Sequence, residues 1–227
     1  TVSYTAGTGV LSITGSATKA VYQSILQGIL YNDTSDTPTT SNRSITVVAN
    51  DGATPSATQT VTLTVAAVND APVVDLNAGG AGQDVTTAFT EQTPVLIAPV
   101  GTLTDVDSAN LTALTVTLTT RPDGNAVESL SLNAAATTAA SGAGLTVTYT
   151  AGTGVLSITG SATKAVYQSV LQGIVYNDTS DTPTTSNRSI TVVANDGAVN
   201  SATQTVTLTV TAVNDAPVNT VPGAQTV

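Results

Sequence analysis

The segment T-V-T-L-T-V-T at residues 205–211 decides the fold class. Its apolar residues alternate strictly with threonine, so Val206, Leu208 and Val210 share one face, as expected of a half-buried β-strand. Threonine on the other face favours a strand and adds no charge. The same alternation occurs at residues 114–118 and 145–149, and further strands are predicted at 154–159 and 189–194. The chain is therefore predicted to be all-β.

Residues 161–173 follow a helical rather than a strand period. Their apolar residues recur at every fourth position: Ala162, Val166, Val170 and Ile174. Ser161 stands where a helix N-cap is expected, and Gly173 lies near the expected C-terminus. We predict a short helix here, and an equivalent one over residues 16–28. About seven short strands and one short helix per repeat predict a Greek-key β-sandwich.

An internal repeat dominates the chain. Residues 1–72 align without gaps on residues 146–217, and 66 of the 72 positions are identical. The offset of 145 residues defines the repeat unit. The sequence thus predicts the C-terminal half of one repeat at 1–72, a complete repeat at 73–217 and the start of the next at 218–227. Near-identical neighbours are typical of tandem arrays in which many copies provide length, so we expect a segment of a longer array.

Composition excludes several classes of function. The chain holds 15 acidic and 5 basic residues, and its formal net charge of −10 should repel nucleic acid and anionic membranes. It contains no His and no Cys, which excludes Ser–His–Asp and Cys–His catalysis and the usual zinc sites. No apolar run approaches the ~18 residues needed to span a membrane. Its aspartates suit small cations instead.

Oxygen-bearing motifs follow one another in a fixed order through the repeat. V-N-D-A-P occurs at residues 68–72 and again at 213–217. Between the two copies lie F-T-E at 89–91, T-D-V-D at 104–107, V-Y-N-D at 175–178 and N-D-G at 195–197. In this order the motifs resemble the cadherin-like repeats of giant bacterial surface adhesins and RTX-type proteins, and the related proteoglycan-type repeats of animal matrix proteins. The resemblance covers essentially the whole chain and implies a cadherin- or Ig-like sandwich.

The resemblance implies a calcium (Ca²⁺) site at each joint between repeats. The implied linker ligands are an Asn-Asp pair at each joint: Asn69 and Asp70, then Asn214 and Asp215. Asp105 and Asp107 match the Asp-x-Asp loop of the family. Asp196 matches the acid of its last hairpin, and Asp51 is the counterpart of Asp196 in the preceding half repeat.

Two further acids are matched to a lower cluster at the opposite end of the unit. Glu91 matches the early Glu of the family and should face the following linker. Asp178 or Asp33 is the nearest match to an acid ahead of the penultimate strand. Full cadherin linkers carry an additional Asp and a second Asn where this chain has Ala67-Val68 and Ala71, which implies fewer or weaker ions. Calcium prefers 6–8 hard oxygens, and extracellular modules bind it with dissociation constants of about 10⁻⁴–10⁻³ M.

Three other features admit more than one interpretation. The glycine-rich segment at residues 75–84 is either a loose connector or a cation loop that uses Asp75, Asn77 and Asp84. The tyrosines of the repeat are interpreted as packing residues rather than a sugar-stacking platform. Arg188 is expected to form a local ion pair with Asp178 or Asp181, of little value if exposed.

The sequence favours a structural function over a catalytic one. We expect a segment of a long extracellular adhesin or surface filament, of the kind that supports cell adhesion and biofilm, with calcium-stiffened joints and neighbouring repeats as partners; glycans would be bound by distal domains. One alternative is a carbohydrate-binding module of a large secreted protein, and another is a strand-exchanging fibre subunit whose open sheet edges accept a strand. An enzyme is not expected, although Glu91 with Asp105 or Asp107 could form a glycosidase pair.

Overall fold

The computed structural model of the protein describes residues 1–220 and 223. The start of a further repeat, predicted at residues 218–227, therefore lies mostly outside the described residues. Strands in several sheets dominate the chain, which confirms that the fold is mostly β. None of the helices in the described part of the chain has the length and apolar character to cross a membrane.

The largest sheet of the complete repeat has six strands. In spatial order they are β11 (Thr146–Thr150), β12 (Val155–Thr163), β9 (Asn110–Leu118), β14 (Arg188–Asn195), β15 (Gln204–Thr211) and β6 (Val85–Thr90). β15 contains the alternating segment that predicts a strand, and its inward residues Val206 and Leu208 are fully buried. It runs antiparallel to β14 and parallel to β6.

Two smaller sheets complete the repeat. One joins β10 (Glu128–Leu132), β13 (Ile174–Asp178) and β7 (Val95–Leu96), and the other pairs β5 (Val73–Asp75) with β8 (Thr102–Thr104). All three sheets contribute to one apolar core, in which the ring of Phe89 meets Tyr176 edge to face at 5.0 Å. Tyr167 and Tyr176 are fully buried, so they pack in the core and form no sugar-stacking platform.

The predicted helix begins later than expected. It is α3 (Lys164–Gln172), and its N-cap is Thr163, whose hydroxyl accepts the backbone N–H of Val166. Ser161 belongs instead to β12, because the ladder between β12 and β9 resumes beyond a bulge after Thr159. Strand pairing therefore overrides the local capping signal.

The prediction of one helix per repeat is wrong, because the complete repeat holds a second helix, α2 (Ala134–Gly142). The Asn133 side chain caps it by accepting the N–H of Ala136 at 2.8 Å. Ala136 and Ala140 form its buried stripe, one turn apart. A side chain at Gly173, the C-cap of α3, would lie 2.4 Å from the Cβ of Ala136, so only glycine permits this approach of the two helices.

The half repeat at residues 1–72 keeps the local elements of its counterpart except a strand equivalent to β13. They are β1 (Val2–Thr5), β2 (Val10–Ile13), α1 (Lys19–Gln27), β3 (Arg43–Val47) and β4 (Gln59–Leu63). The strands form two separate two-stranded sheets, β1–β2 and β3–β4. The helix predicted over residues 16–28 is present as α1. Residues 73–217 thus form a closed core, whereas residues 1–72 form hairpins and a helix without one.

Candidate metal centre at the joint

The linker between the half repeat and the complete repeat contacts two predicted calcium ligands. The Asn69 Nδ2 donates to Asp196 Oδ2 at 2.7 Å, and the backbone N–H of Asp70 donates to Asp107 Oδ2 at 3.0 Å. These residues are 127 and 37 positions apart in the chain. The fold therefore brings the linker, the Asp-x-Asp loop and the last hairpin to one place, and the Asn69 Oδ1 remains available as a ligand.

Asp105 is the most buried carboxylate of this group. The residue is 8% exposed, and its Oδ1 accepts the backbone N–H groups of Asp107 and Ser108. The Oδ2 is buried and has no hydrogen-bond partner. An unpaired buried carboxylate oxygen is costly, on the order of 1–3 kcal/mol or more. A bound cation would satisfy it.

A depression of about 440 Å³ lies at this joint. Three carboxylates line it: Asp36 of the half repeat, Asp70 of the linker and Asp105 of the complete repeat. The sequence did not mark Asp36 as a ligand. Lys164 lies nearby, but its Nζ donates to the backbone carbonyl of Asp105 at 2.5 Å and forms no ion pair within the described residues. The carboxylates of the depression therefore lack a cationic partner there.

At the opposite end of the repeat, Glu91 lies beside the following linker, as Asp105 lies beside the preceding one. It is 5% exposed, and its Oε2 accepts the N–H of Val213 at 2.7 Å, so it faces the following linker as predicted. Its Oε1 is buried without a hydrogen-bond partner. In that linker, Asn214 bonds the Asp215 carbonyl as Asn69 bonds that of Asp70. The two Asn-Asp pairs thus make the same local hydrogen bond.

Asp51 is the counterpart of Asp196 in the half repeat, and its hydrogen bonds show which contacts the turn alone supplies. Each carboxylate caps its own turn by accepting two backbone N–H groups. Asp196 accepts in addition from Asn69, and this bond is the largest cause that lowers its pKa. The pKa of Asp51 is lowered by the turn N–H groups of Thr54 and Ala53. The structure does not bring Asp51 together with the other predicted ligands.

Asn69→Ala should therefore raise the pKa of Asp196 and leave the pKa of Asp51 unchanged. The lost amide donor stabilised the ionised carboxylate, whereas the two turn N–H groups stay in place. Carboxyl resonances followed by NMR across acidic pH in chelator measure both values in one sample. Equal movement of the two pKa values, or none, would mean that the linker does not contact the hairpin in solution.

Asp178, which the resemblance matches to the cluster around Glu91, bonds Arg188 in a buried network. The guanidinium contacts three carboxylates, with Nη2–Asp178 Oδ2 at 3.2 Å, Nε–Glu128 Oε2 at 3.1 Å and Nη2–Asp123 Oδ2 at 2.5 Å. Arg188 is fully buried, so the expected local ion pair is an interior network. Asp181 instead accepts from the Gln92 side chain at 2.8 Å.

The Arg188 network holds an excess of negative charge. Burial raises the pKa of Glu128 and of Asp178. At Asp123 burial acts in the same direction, but the hydrogen bonds from Thr184 and the charge of Arg188 outweigh it and lower the pKa. Ligand atoms of the three acids lie within 4.8 Å of one another, so by spacing they could hold a metal ion. The guanidinium already supplies a cation to each of them.

The glycine-rich loop at residues 75–84 satisfies most of its own polar groups. Both oxygens of Asp75 accept loop N–H groups, and the Asn77 amide donates to three loop carbonyls. Asp84 Oδ1 accepts the N–H of Thr205. The loop is therefore organised by its own hydrogen bonds rather than left as a loose connector. The Asn77 Oδ1 is the buried oxygen of this loop that lacks a partner.

Comparison with protein-family models finds no match to this chain. No curated protein matches it either.

Proposed function

We propose that this chain is a segment of a long extracellular adhesin or surface filament in which Greek-key, cadherin-like β-sandwich repeats are stiffened by Ca²⁺ at their joints. One observation carries the proposal: the linker donates to Asp196 and Asp107 beside the unpaired buried oxygen of Asp105. The elements that meet there carry carboxylate and amide oxygens, the kinds of ligand that calcium prefers. The neighbouring repeats are the partners, and adhesion to glycans is assigned to distal domains.

Two further observations support a repeated joint. Glu91 has a second unpaired buried oxygen beside the next Asn-Asp linker, so each end of the repeat offers part of a ligand set. The near-identity of residues 1–72 and 146–217 means that the same linker sequence recurs at each joint. Calcium at these joints draws acids from two units together and removes their mutual repulsion. The angle between units would then be fixed.

The fibre-subunit alternative is favoured by a separate observation. Large apolar side chains of the half repeat are exposed, among them Tyr4 at 66% and Val61 at 47%. Bare strand edges beside such residues are prone to accept a further strand. A strand-exchanging fibre and a calcium-stiffened array are compatible descriptions of one filament.

Small-angle X-ray scattering of the chain in calcium and in chelator tests the stiffening. We expect calcium to lengthen the maximum dimension and to narrow the distribution of shapes, because the half repeat stops swinging about the linker. Magnesium is the control, since it demands a compact octahedral site and should act weakly. Identical scattering curves in calcium and in chelator would contradict a calcium-stiffened joint.

A further inference from the structure

The half repeat exposes the apolar face that the complete repeat buries. Tyr167, Leu171 and Val206 are fully buried, whereas their counterparts at offset 145 are exposed. Those counterparts are Tyr22 at 36%, Leu26 at 48% and Val61 at 47%. The local structure is nevertheless the same, because Tyr22 and Tyr167 each donate to the carbonyl of the equivalent glycine at 2.6 Å. The two faces differ in what covers them.

The sheets of the half repeat are open where the complete repeat is filled. In the complete repeat β9 lies between β12 and β14, and β6 borders β15. In the half repeat β2 pairs with β1 and β3 pairs with β4, so the places of β9 and β6 are vacant. Residues 29–33 (I-L-Y-N-D) form no strand, although the equivalent I-V-Y-N-D is β13 beside β10. Segment 73–145 supplies every one of these missing neighbours.

The charged residues of the half repeat also lack the neighbours that segment 73–145 supplies in the complete repeat. Arg188 is enclosed by three carboxylates, two of which, Asp123 and Glu128, come from segment 73–145. The equivalent Arg43 keeps one carboxylate, Asp33, at 3.3 Å, and its side chain is 24% exposed. An occupant that brings two acids to Arg43 would complete the same network.

We propose that the face of residues 1–72 is a docking surface for a further polypeptide segment with the strands of residues 73–145, seated as in the complete repeat. A second copy of this chain cannot cover the face of residues 1–72 without exposing an equivalent face of its own. Its own segment 73–145 is engaged by its residues 146–217, so a donated segment would uncover an identical face there. The segment that docks must therefore have the strands of residues 73–145 and must not already be packed against residues equivalent to 146–217. The inference does not depend on calcium.

Hydrogen exchange in chelator tests the proposal on the full chain extended by a copy of residues 73–145 ahead of Thr1. We expect the amides of β3, β4 and residues 29–33 to exchange at least about tenfold more slowly than in the unextended chain, approaching their counterparts in residues 146–217. As a matched control, the extension carries Leu114→Asp and Val116→Asp in the added copy. Those two charges should prevent the protection, because both positions are fully buried in the complete repeat.

A second readout uses Arg43. Arg43→Met should cost little in the unextended chain and should speed exchange across residues 1–72 in the extended one, as Arg188→Met is expected to do in the complete repeat. Unchanged exchange on extension, or equal protection by the charged control, would overturn the proposal. So would protection of residues 1–72 in the unextended chain together with dimers in sedimentation, since a second copy would then be the occupant.

Discussion

Arg188→Met should destabilise the complete repeat by about 3–5 kcal/mol, because it leaves Asp123, Glu128 and Asp178 buried without a cation. Three carboxylates that depend on one guanidinium must then repel one another or take up protons. For a domain of this size the loss corresponds to a fall in melting temperature of roughly 10 °C. Chemical denaturation followed by tyrosine fluorescence measures it.

Arg43→Met is the matched control for this substitution. The residue is the counterpart of Arg188 in the half repeat, but its ion pair with Asp33 is partly exposed and solvent screens it. We expect a much smaller effect. Similar effects at both positions would mean that the buried network is not what Arg188 stabilises.

The Arg188→Met variant should also differ in its pH dependence. Burial already raises the pKa of Glu128 and of Asp178, and loss of the guanidinium raises both further. A raised folded-state pKa means that the folded protein binds more protons than the unfolded chain, so its stability falls as pH rises through that interval. The deficit should be smallest in acid, and Glu128→Gln added to Arg188→Met should recover part of the loss at neutral pH.

Calcium should raise the melting temperature of the chain. Binding to the folded state alone adds about 2.7 kcal/mol at a hundredfold excess over the dissociation constant, or roughly 5–10 °C for a domain of this size. Differential scanning calorimetry in calcium and in chelator measures the shift. No shift at millimolar calcium would contradict a site of the strength expected for an extracellular module.

Asp105→Asn should distinguish a role of that carboxylate in binding calcium from a role in stabilising the fold. In chelator the variant should melt no lower than the parent, because the amide keeps an acceptor for the two turn N–H groups and removes an unpaired charge. In calcium it should lose most of the stabilisation. A variant that melts lower than the parent in chelator would mean that Asp105 supports the fold rather than the ion.

The strands and the joint were predictable from the sequence, for different reasons. Alternation of Val or Leu with Thr marks β15 and β9 directly, since one face meets the core. The convergence of Asn69, Asp107 and Asp196 followed only from the family resemblance. Composition and spacing alone do not bring residues 127 positions apart together.

The two errors of the sequence analysis have specific physical causes. Helix α2 is rich in Ala and Thr and has a weak apolar stripe, so it shows no clear helical period; the Asn133 cap and the fit of Ala136 against Gly173 define it. The buried network was not predicted because Arg188 lies 60 residues or more from Glu128 and Asp123. The sequence indicated only a short-range ion pair with Asp178 or Asp181. Tertiary pairing decided both cases.

Isothermal titration of calcium into the chain and into two matched variants tests the joint most directly. Asp196 and Asp51 hold the same turn in two nearly identical halves, but Asp196 alone of the two contacts the linker. We predict that the parent and Asp51→Asn bind calcium equally, with a dissociation constant of about 10⁻⁴–10⁻³ M, and that Asp196→Asn weakens binding at least about tenfold, or 1.4 kcal/mol. No binding by the parent, or equal binding by all three proteins, would contradict a calcium site at the joint.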